Sequence, residues 1–382
     1  MDERLTVLVV DDEPFNVDYL IQELEDFGVD TITAENGVVA MAQIEAHAPD
    51  LVLLDIMMPK MGGFDVLETM KARESMRDIP VIIISAHSEM EQVLKGIEMG
   101  AEDYLPKPFD PLLLKARVNA SLEKKRFRNL EKQYLESMAR ELRIGKDIQA
   151  GFLPGEIHSP KGWEIAAYFE AAREVSGDFY DVFALPDGRV GLMVGDVTDK
   201  GVGSALYMAL YRSLLRATAL QNAEAESKDL LQRAVDSTNR YICGNHEQPR
   251  YLTLFFGILE PTTGVLQYVS AGHDHPFLIN SKGGIRPIKP TGPLIGFSEE
   301  MTFAVEQTLI GSADCLLIYT DGVTDIRNEN ESFGRERLML EAAKPEAGAK
   351  KRVDGLVGAL KVFCGDRAHY DDITLLAVQR KA

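Results

Sequence analysis

The stretch Asp178–Lys200, DFYDVFALPDGRVGLMVGDVTDK, decides how most of this 382-residue chain is read. With the glycines that precede them, Asp178 and Asp196 form two Gly-Asp pairs eighteen residues apart, each beside an apolar run of strand character. A glycine ahead of a carboxylate at a strand end lets the backbone come close to an ion, and aligned strand ends bring two carboxylates to one point. Two more acidic stretches border apolar runs: Asp321 in LLIYTDG, and Asp371-Asp372 before ITLLAV. Taken singly, Asp321 reads as a turn residue and Asp371-Asp372 as a solvated loop or cap. Four such acids in one domain repel one another unless cations sit between them, and an oxygen-only donor set suits Mg or Mn rather than Zn.

The series SGDFYDVF, GDVTDKG, FFGIL, SAGHDHP, GPLIG, YTDGVTD and DDITLLAV resembles the bacterial branch of the metal-dependent serine/threonine phosphatases, typified by sporulation stage II protein E and the sigma-factor regulator RsbU. The resemblance runs from about Gln149 to the end, with the motifs in family order. It implies an α-β-β-α sandwich. It also implies two Mn or Mg ions held by Asp178, Asp196, Asp321 and Asp371 with the Val197 carbonyl, Asp196 bridging the ions. A water between them would attack the phosphate ester in line, without a covalent phosphoenzyme. Asp181 and Asp372 flank these positions in outer or surface roles, and His273 in AGHDHP is either an active-site acid or a structural turn histidine. Two departures from the family pattern stand out. Asp199 occupies a position where many relatives have glycine, and His275 replaces a common proline or asparagine. Neither removes a metal position.

The strand-like runs EIAAYFEA, RVGLMVGD, YLTLFFGILE, VLQYVSAGH, CLLIYTDG and ITLLAVQ, separated by turn signals, predict stacked antiparallel sheets. Gly203–Thr218 and Ser227–Cys243 have helical apolar period and belong against a sheet face.

The first 120 residues differ. LTVLVV, LVLLD, VIIIS and DYLPKP alternate with helical patterns, and their unbroken apolar runs fit strands buried on both faces of a parallel sheet. That predicts a doubly wound α/β domain of flavodoxin-like type, with Asp11, Asp12, Asp55, Ser85 and Lys107 beyond the carboxyl ends of its strands. Three acids there suit Mg, and a carboxylate can attack phosphorus. The segments VVDDE, LLDIMMPKMGG, IIISAHS and GAEDYLPKPF resemble a response-regulator receiver. The resemblance implies Asp55 as phosphoacceptor, and Mg held by Asp11, Asp12, Asp55 and the Met57 carbonyl. Ser85 and Lys107 would contact the phosphoryl group, and Tyr104 would be the switch aromatic. It also implies a cis Lys107-Pro108 bond, and places Met57 and His87 where they tune water access to the acyl phosphate.

Asp110-Pro111 is a helix start, a capping carboxylate followed by proline at the first helical position. No proline follows until after Phe152, so about 40 residues can run as one helix of roughly 60 Å. Phe127, Leu130, Tyr134, Met138, Leu142 and Gly145 form a seam with a stutter in place of strict heptads. Two readings stand: a solvated helix packed on its own phosphatase domain, or a dimeric coiled coil joining a homodimer. The expected organisation is a receiver at 1–120, a helical linker at 121–150 and a phosphatase at 151–382.

The net charge of -19 argues against wrapping nucleic acid or lying on an anionic membrane. No apolar run reaches membrane-spanning length, and the start MDERLTVLVV, acidic with a short apolar run, does not read as a secretion signal. Cys243, Cys315 and Cys364 have no metal-like spacing and suit free thiols in the cytoplasm. The whole reads as a cytoplasmic two-component response regulator. A cognate histidine kinase or a small phosphodonor would act on Asp55 and control a Mn- or Mg-dependent phosphatase, whose substrate the resemblance gives as a phosphorylated anti-sigma-factor antagonist. The rivals are a non-enzymatic adaptor binding a sigma or anti-sigma factor, and a hydrolase of phosphorylated small molecules.

Overall fold

The structure is a computed structural model describing residues 4–86, 90–245, 250–346, 348–365, 367 and 369–382. It divides into two compact units, Met1–Met138 and Ala139–Ala382.

The first unit alternates β1 (Thr6–Val10), α1 (Pro14–Leu24), β2 (Asp30–Ala34), α2 (Gly37–His47), β3 (Leu51–Asp55), α3 (Gly63–Ala72), β4 (Val81–Ala86), α4 (Met90–Glu98) and β5 (Asp103–Lys107). All strand pairs are parallel, in the order β2-β1-β3-β4-β5. Leu8, Val10, Val52 and Leu54 pack into one face of the sheet and Val7, Val9, Leu51 and Leu53 into the other. Both faces are thus covered, which is why β1 and β3 read as unbroken apolar runs. Burying each such side chain contributes about 1.5–3 kcal/mol. The Lys107-Pro108 bond is cis, as expected.

α5 (Pro111–Ala150) is one 40-residue helix that begins in the first unit and ends in the second. The Asp110 carboxylate accepts from the Leu112 N–H at 2.8 Å and the Leu113 N–H at 3.4 Å, so the predicted cap forms. Phe127, Leu130, Tyr134 and Met138 are exposed along it.

The second unit contains β6 (Trp163–Glu170), β7 (Asp178–Ala184), β8 (Val190–Val197), α6 (Val202–Gln221), α7 (Ser227–Asn245), β9 (Leu252–Leu259), β10 (Val265–Ala271), β11 (Phe277–Ile279), β12 (Ile285–Pro287), β13 (Glu306–Leu309), β14 (Cys315–Tyr319), α8 (Gly322–Asp325), α9 (Gly334–Ala342), α10 (Ala349–Cys364) and β15 (Ile373–Arg380). Two five-stranded antiparallel sheets result, β13-β10-β9-β8-β7 and β12-β11-β14-β15-β6. One core lies between the first sheet and α6 and α7, a second between the sheets, and a third between the second sheet and α9 and α10. This is the expected α-β-β-α sandwich.

The side-chain period of two divides β7 cleanly. Phe179 and Phe183 join the helix-facing core, while Tyr180 and Val182 face the other sheet. Asp181 shares the helix-facing side. It is fully buried there, bonded to Arg216 at 2.9 and 3.0 Å and paired with Arg212 at 2.8 Å, both on α6. Burial pushes its carboxyl up and the two guanidinium groups pull it back. It anchors α6 to β7, on the face of the strand away from Asp178.

Candidate functional site

In the first unit the strand ends deliver the expected cluster. Carboxylate oxygens of Asp11, Asp12 and Asp55 all lie within 4.8 Å of one another. Asp11 follows β1, and its Oδ1 accepts from the Glu13 N–H and the Asn16 amide, at 2.9 and 3.0 Å. The Lys107 ammonium sits 3.0 Å from Asp55 and 2.9 Å from Asp11. Burial alone would lower the Lys107 pKa, but its bonds to the two acids outweigh this and raise it. The Asp55 carboxyl is raised by burial, against the opposing pull of Lys107. Ser85 is buried on β4, directly opposite Pro106 of β5. Tyr104 is half-buried with the Arg117 guanidinium 4.8 Å from its ring centroid, and Met57 is exposed. His87 lies outside the described residues.

In the second unit, Asp178 begins β7 and Asp196 lies near the end of β8, and the antiparallel register sets them directly opposite. Directly paired residues project to one face, so two carboxylates converge in the space between the sheets. The Thr320 and Thr374 hydroxyls donate to Asp178 Oδ2 at 2.7 and 2.6 Å, and the Ser176 hydroxyl accepts from the Asp178 N–H at 3.0 Å. Asp321 follows β14 and Asp371 precedes β15, the strands paired at Tyr319 and Leu375.

The cost of assembling these acids appears in their protonation. Burial, and then the charges of Asp321 and Asp371, push Asp196 up to about 7. Burial and the neighbouring Asp371 and Asp325 push Asp321 up to about 6. Asp178 is raised by burial and by Asp196. Among the described residues, the one cation paired with any of the four is Lys200, whose ammonium lies 2.8 Å from Asp371 and donates to the Tyr370 carbonyl. An oxygen-only, mutually repelling set fits a hard divalent cation. The site is looser than the first, since the only trio drawn within 4.8 Å among the described residues is the one around Asp55.

Around the acids the backbone is packed to contact. A Cβ on residue 177 would lie 2.7 Å from the Val197 carbonyl oxygen, and one on residue 322 would lie 1.9 Å from that of Asp372. Glycine before Asp178 therefore admits the Val197 carbonyl at close range. Both carboxylate oxygens of Asp372 are taken up by the backbone: Oδ1 accepts from the Ala172 N–H at 2.8 Å and Oδ2 from the Gly177 N–H at 2.9 Å, which fixes the loop leading into Asp178. His273 is buried, its Nδ1 2.9 Å from the Thr253 hydroxyl, and Thr253 lies opposite Asp196 on β9. Burial holds its pKa down at about 4, so its imidazole is neutral at physiological pH. Asp199 has φ +69°, the left-handed region that glycine enters most readily, and Arg250 pairs with its carboxylate.

The family model of Stage II sporulation protein E (SpoIIE) matches residues 186–381, just over half of the chain. This chain belongs to the SpoIIE family. The response regulator receiver domain model matches residues 7–119 of the same SpoIIE-family chain. Protein IcfG of Synechocystis sp. is 38% identical over 262 residues, which cover 63% of this chain and 41% of IcfG. The alkaline phosphatase synthesis transcriptional regulatory protein PhoP of Bacillus subtilis is 40% identical over 118 residues, covering 31% of this chain and 48% of PhoP. The SiaA-PP2C domain of Pseudomonas aeruginosa shares the fold at 18% identity, with a TM-score of 0.55 over 64% of this chain and 98% of that domain. The chain spans only 31 to 59% of the length of the curated relatives it matches.

Several residues that shape the SpoIIE-family site went unassigned in the sequence reading: Gln149, Thr253, Thr320, Thr374, Asp274 and Lys200. A local signal existed for Thr320, immediately before Asp321, and for Thr374, two residues past Asp372. Asp274 raises the Asp321 carboxyl across a fold contact that no spacing reveals. Gln149 is buried near the end of α5, where its amide donates to the Ser176 carbonyl at 2.6 Å and its Oε1 accepts from the Ser176 N–H at 2.9 Å.

Proposed function

We propose that this chain is a response regulator in which phosphorylation of Asp55 controls a Mn- or Mg-dependent serine/threonine protein phosphatase. The observation that carries this is the register pairing of Asp178 with Asp196, two buried carboxyls raised by burial, Asp178 also by the charge of Asp196, and Asp196 by those of Asp321 and Asp371. When bound there, Mn or Mg supplies Lewis acidity toward a phosphate ester and makes water acidic. Asp178, Asp196, Asp321, Asp371 and the Val197 carbonyl would hold the ions. Thr320 and Thr374 fix one oxygen of Asp178, and the other would be the one offered to a cation. Asp372 and Gln149 hold the loop before it.

In the receiver, Asp55 takes the phosphoryl group. Asp11, Asp12 and the Met57 carbonyl complete an Mg site, Lys107 and Ser85 bind the phosphoryl oxygens, and Tyr104 follows Ser85 inward. The donor is a cognate histidine kinase or a small phosphodonor. The substrate is a phosphorylated anti-sigma-factor antagonist in a partner-switching pathway in the cytoplasm. The exposed apolar seam of α5 pairs with a second copy in a homodimer, and the organisation is receiver 1–120, linker 121–150 and phosphatase 151–382. Gln149 supports coupling through the linker, because it ties the last turns of α5 to Ser176, two residues before Asp178.

A panel of phosphoserine and phosphothreonine peptides against nucleotides, with Mn, tests the reading. Phosphopeptides are hydrolysed preferentially by the wild type, and Asp196→Ala loses this turnover while Asp55 still accepts phosphate. Preference for nucleotides, or full turnover in Asp196→Ala, contradicts it.

A further inference from the structure

The four acids leave a charge problem at the proposed centre. A phosphate ester brings negative charge, which phosphoryl transfer spreads over three oxygens, and catalysis needs positive groups aimed at them. Asp274, Asp325 and Asp372 add further negative charge near the site. Among the described residues, the one lysine, arginine or histidine paired with any of the four acids is Lys200.

Its setting is a braced loop carrying a long, partly exposed side chain. The loop between β8 and α6 is held by the Thr198 N–H donating to the Tyr251 carbonyl at 2.9 Å and the Tyr251 N–H donating to the Thr198 hydroxyl at 3.0 Å. Asp199 at φ +69° is pinned by Arg250, and Gly201 at φ +89° closes the turn into α6. The long side chain of Lys200 rests its ammonium on Asp371 and the Tyr370 carbonyl and is 34% exposed, so an incoming ligand can reach it.

We propose that Lys200 is a phosphate-binding residue of this centre, its ammonium resting on Asp371 without substrate and passing to a non-bridging phosphoryl oxygen when substrate is bound. This role rests on the phosphatase reading above. Were Asp371 to give its carboxylate to a cation, the ammonium would lose its partner 2.8 Å away, keep the Tyr370 carbonyl, and have the phosphoryl group as the new anion to pair with. No bond is made or broken in this exchange. It is a transfer of one charge-assisted hydrogen bond.

The test uses the full chain as wild type, Lys200→Met and Lys200→Arg, each checked for an unchanged thermal melt. Calorimetry measures Mn alone, then inorganic phosphate into the Mn-loaded protein, and kinetics on a phosphomonoester follow. Lys200→Met binds Mn as tightly as wild type or several-fold tighter, because a competing cation is gone. It binds phosphate about tenfold more weakly and loses about 10- to 100-fold in kcat/KM, and Lys200→Arg recovers most of both losses. Phosphate binding within twofold of wild type in Lys200→Met overturns the proposal, leaving Lys200 as a mere counter-ion of Asp371. A tenfold fall in Mn affinity overturns it too, since Lys200 would then be a prop for the acid. A wild type that binds Mn and phosphate yet hydrolyses no ester sinks the phosphatase reading and not the phosphate role, whereas one that binds Mn but no phosphate sinks the role.

Discussion

The side chain of Gln149 makes both hydrogen bonds of the Ser176 peptide group, donating to its carbonyl at 2.6 Å and accepting from its N–H at 2.9 Å. The Ser176 hydroxyl in turn accepts from the Asp178 N–H at 3.0 Å, so the end of α5 is two hydrogen bonds from a proposed metal ligand. Gln149→Ala leaves two buried backbone groups unpaired, a cost of about 1–3 kcal/mol. The expected result is weaker Mn binding and loss of the response to Asp55 phosphorylation, with the receiver still phosphorylated. Calorimetry with Mn and a phosphodonor-dependent rate assay check both.

The raised acids set a pH dependence. Asp196 near 7 and Asp321 near 6 lie above the range near 4 of an unfolded chain. Between these limits the folded state binds more protons, so the stability of the metal-free protein falls as pH rises from about 4 to 7, for Asp196 by a few kcal/mol at order of magnitude. In chelator the melting temperature of the second unit should therefore drop from pH 5 to 7.5. Excess Mn should turn this slope upward, because ions bind the deprotonated acids. Asp196→Asn should flatten the metal-free slope, and an unchanged slope would place the titration elsewhere.

Gly177 is set against the Val197 carbonyl, with 2.7 Å left for any Cβ. Gly177→Ala must push that carbonyl away, at about 1–3 kcal/mol. Mn affinity should fall together with stability, as calorimetry and thermal melting on the same samples would report. Full affinity in a destabilised variant would remove Val197 from the site.

Asp181 pairs with two arginines of α6 from a fully buried position. Asp181→Asn leaves buried positive charge without its counter-charge and should destabilise the second unit by about 3–5 kcal/mol. Chemical denaturation measures this. Mn affinity per folded molecule should hold, since the carboxylate lies on the opposite face of β7 from Asp178.

Both folds were legible because burial wrote itself into the residue order. Residues 7–10 of β1 and 51–54 of β3 are covered on two faces and so are all apolar, whereas β7 alternates between a helix layer and a second sheet. The short strands β11 to β13 and the helices α9 and α10 had no such signature. β12 and β13 are largely exposed edge strands, and α9 interrupts its apolar positions with charge. At the site, the acids stood out by their position at strand ends. Their supports did not, since Gln149 lies 27 residues from Ser176 and Thr374 lies 196 from Asp178, and only the folded chain brings them together.

The most direct measurement is the rate of phosphomonoester hydrolysis in Mn, with and without beryllofluoride, for wild type and Asp55→Ala. A Mn-dependent rate that changes with beryllofluoride in wild type, and not in Asp55→Ala, is the predicted result. Absence of hydrolysis on this ester and on phosphorylated antagonist alike, or a beryllofluoride response that survives Asp55→Ala, would contradict the account.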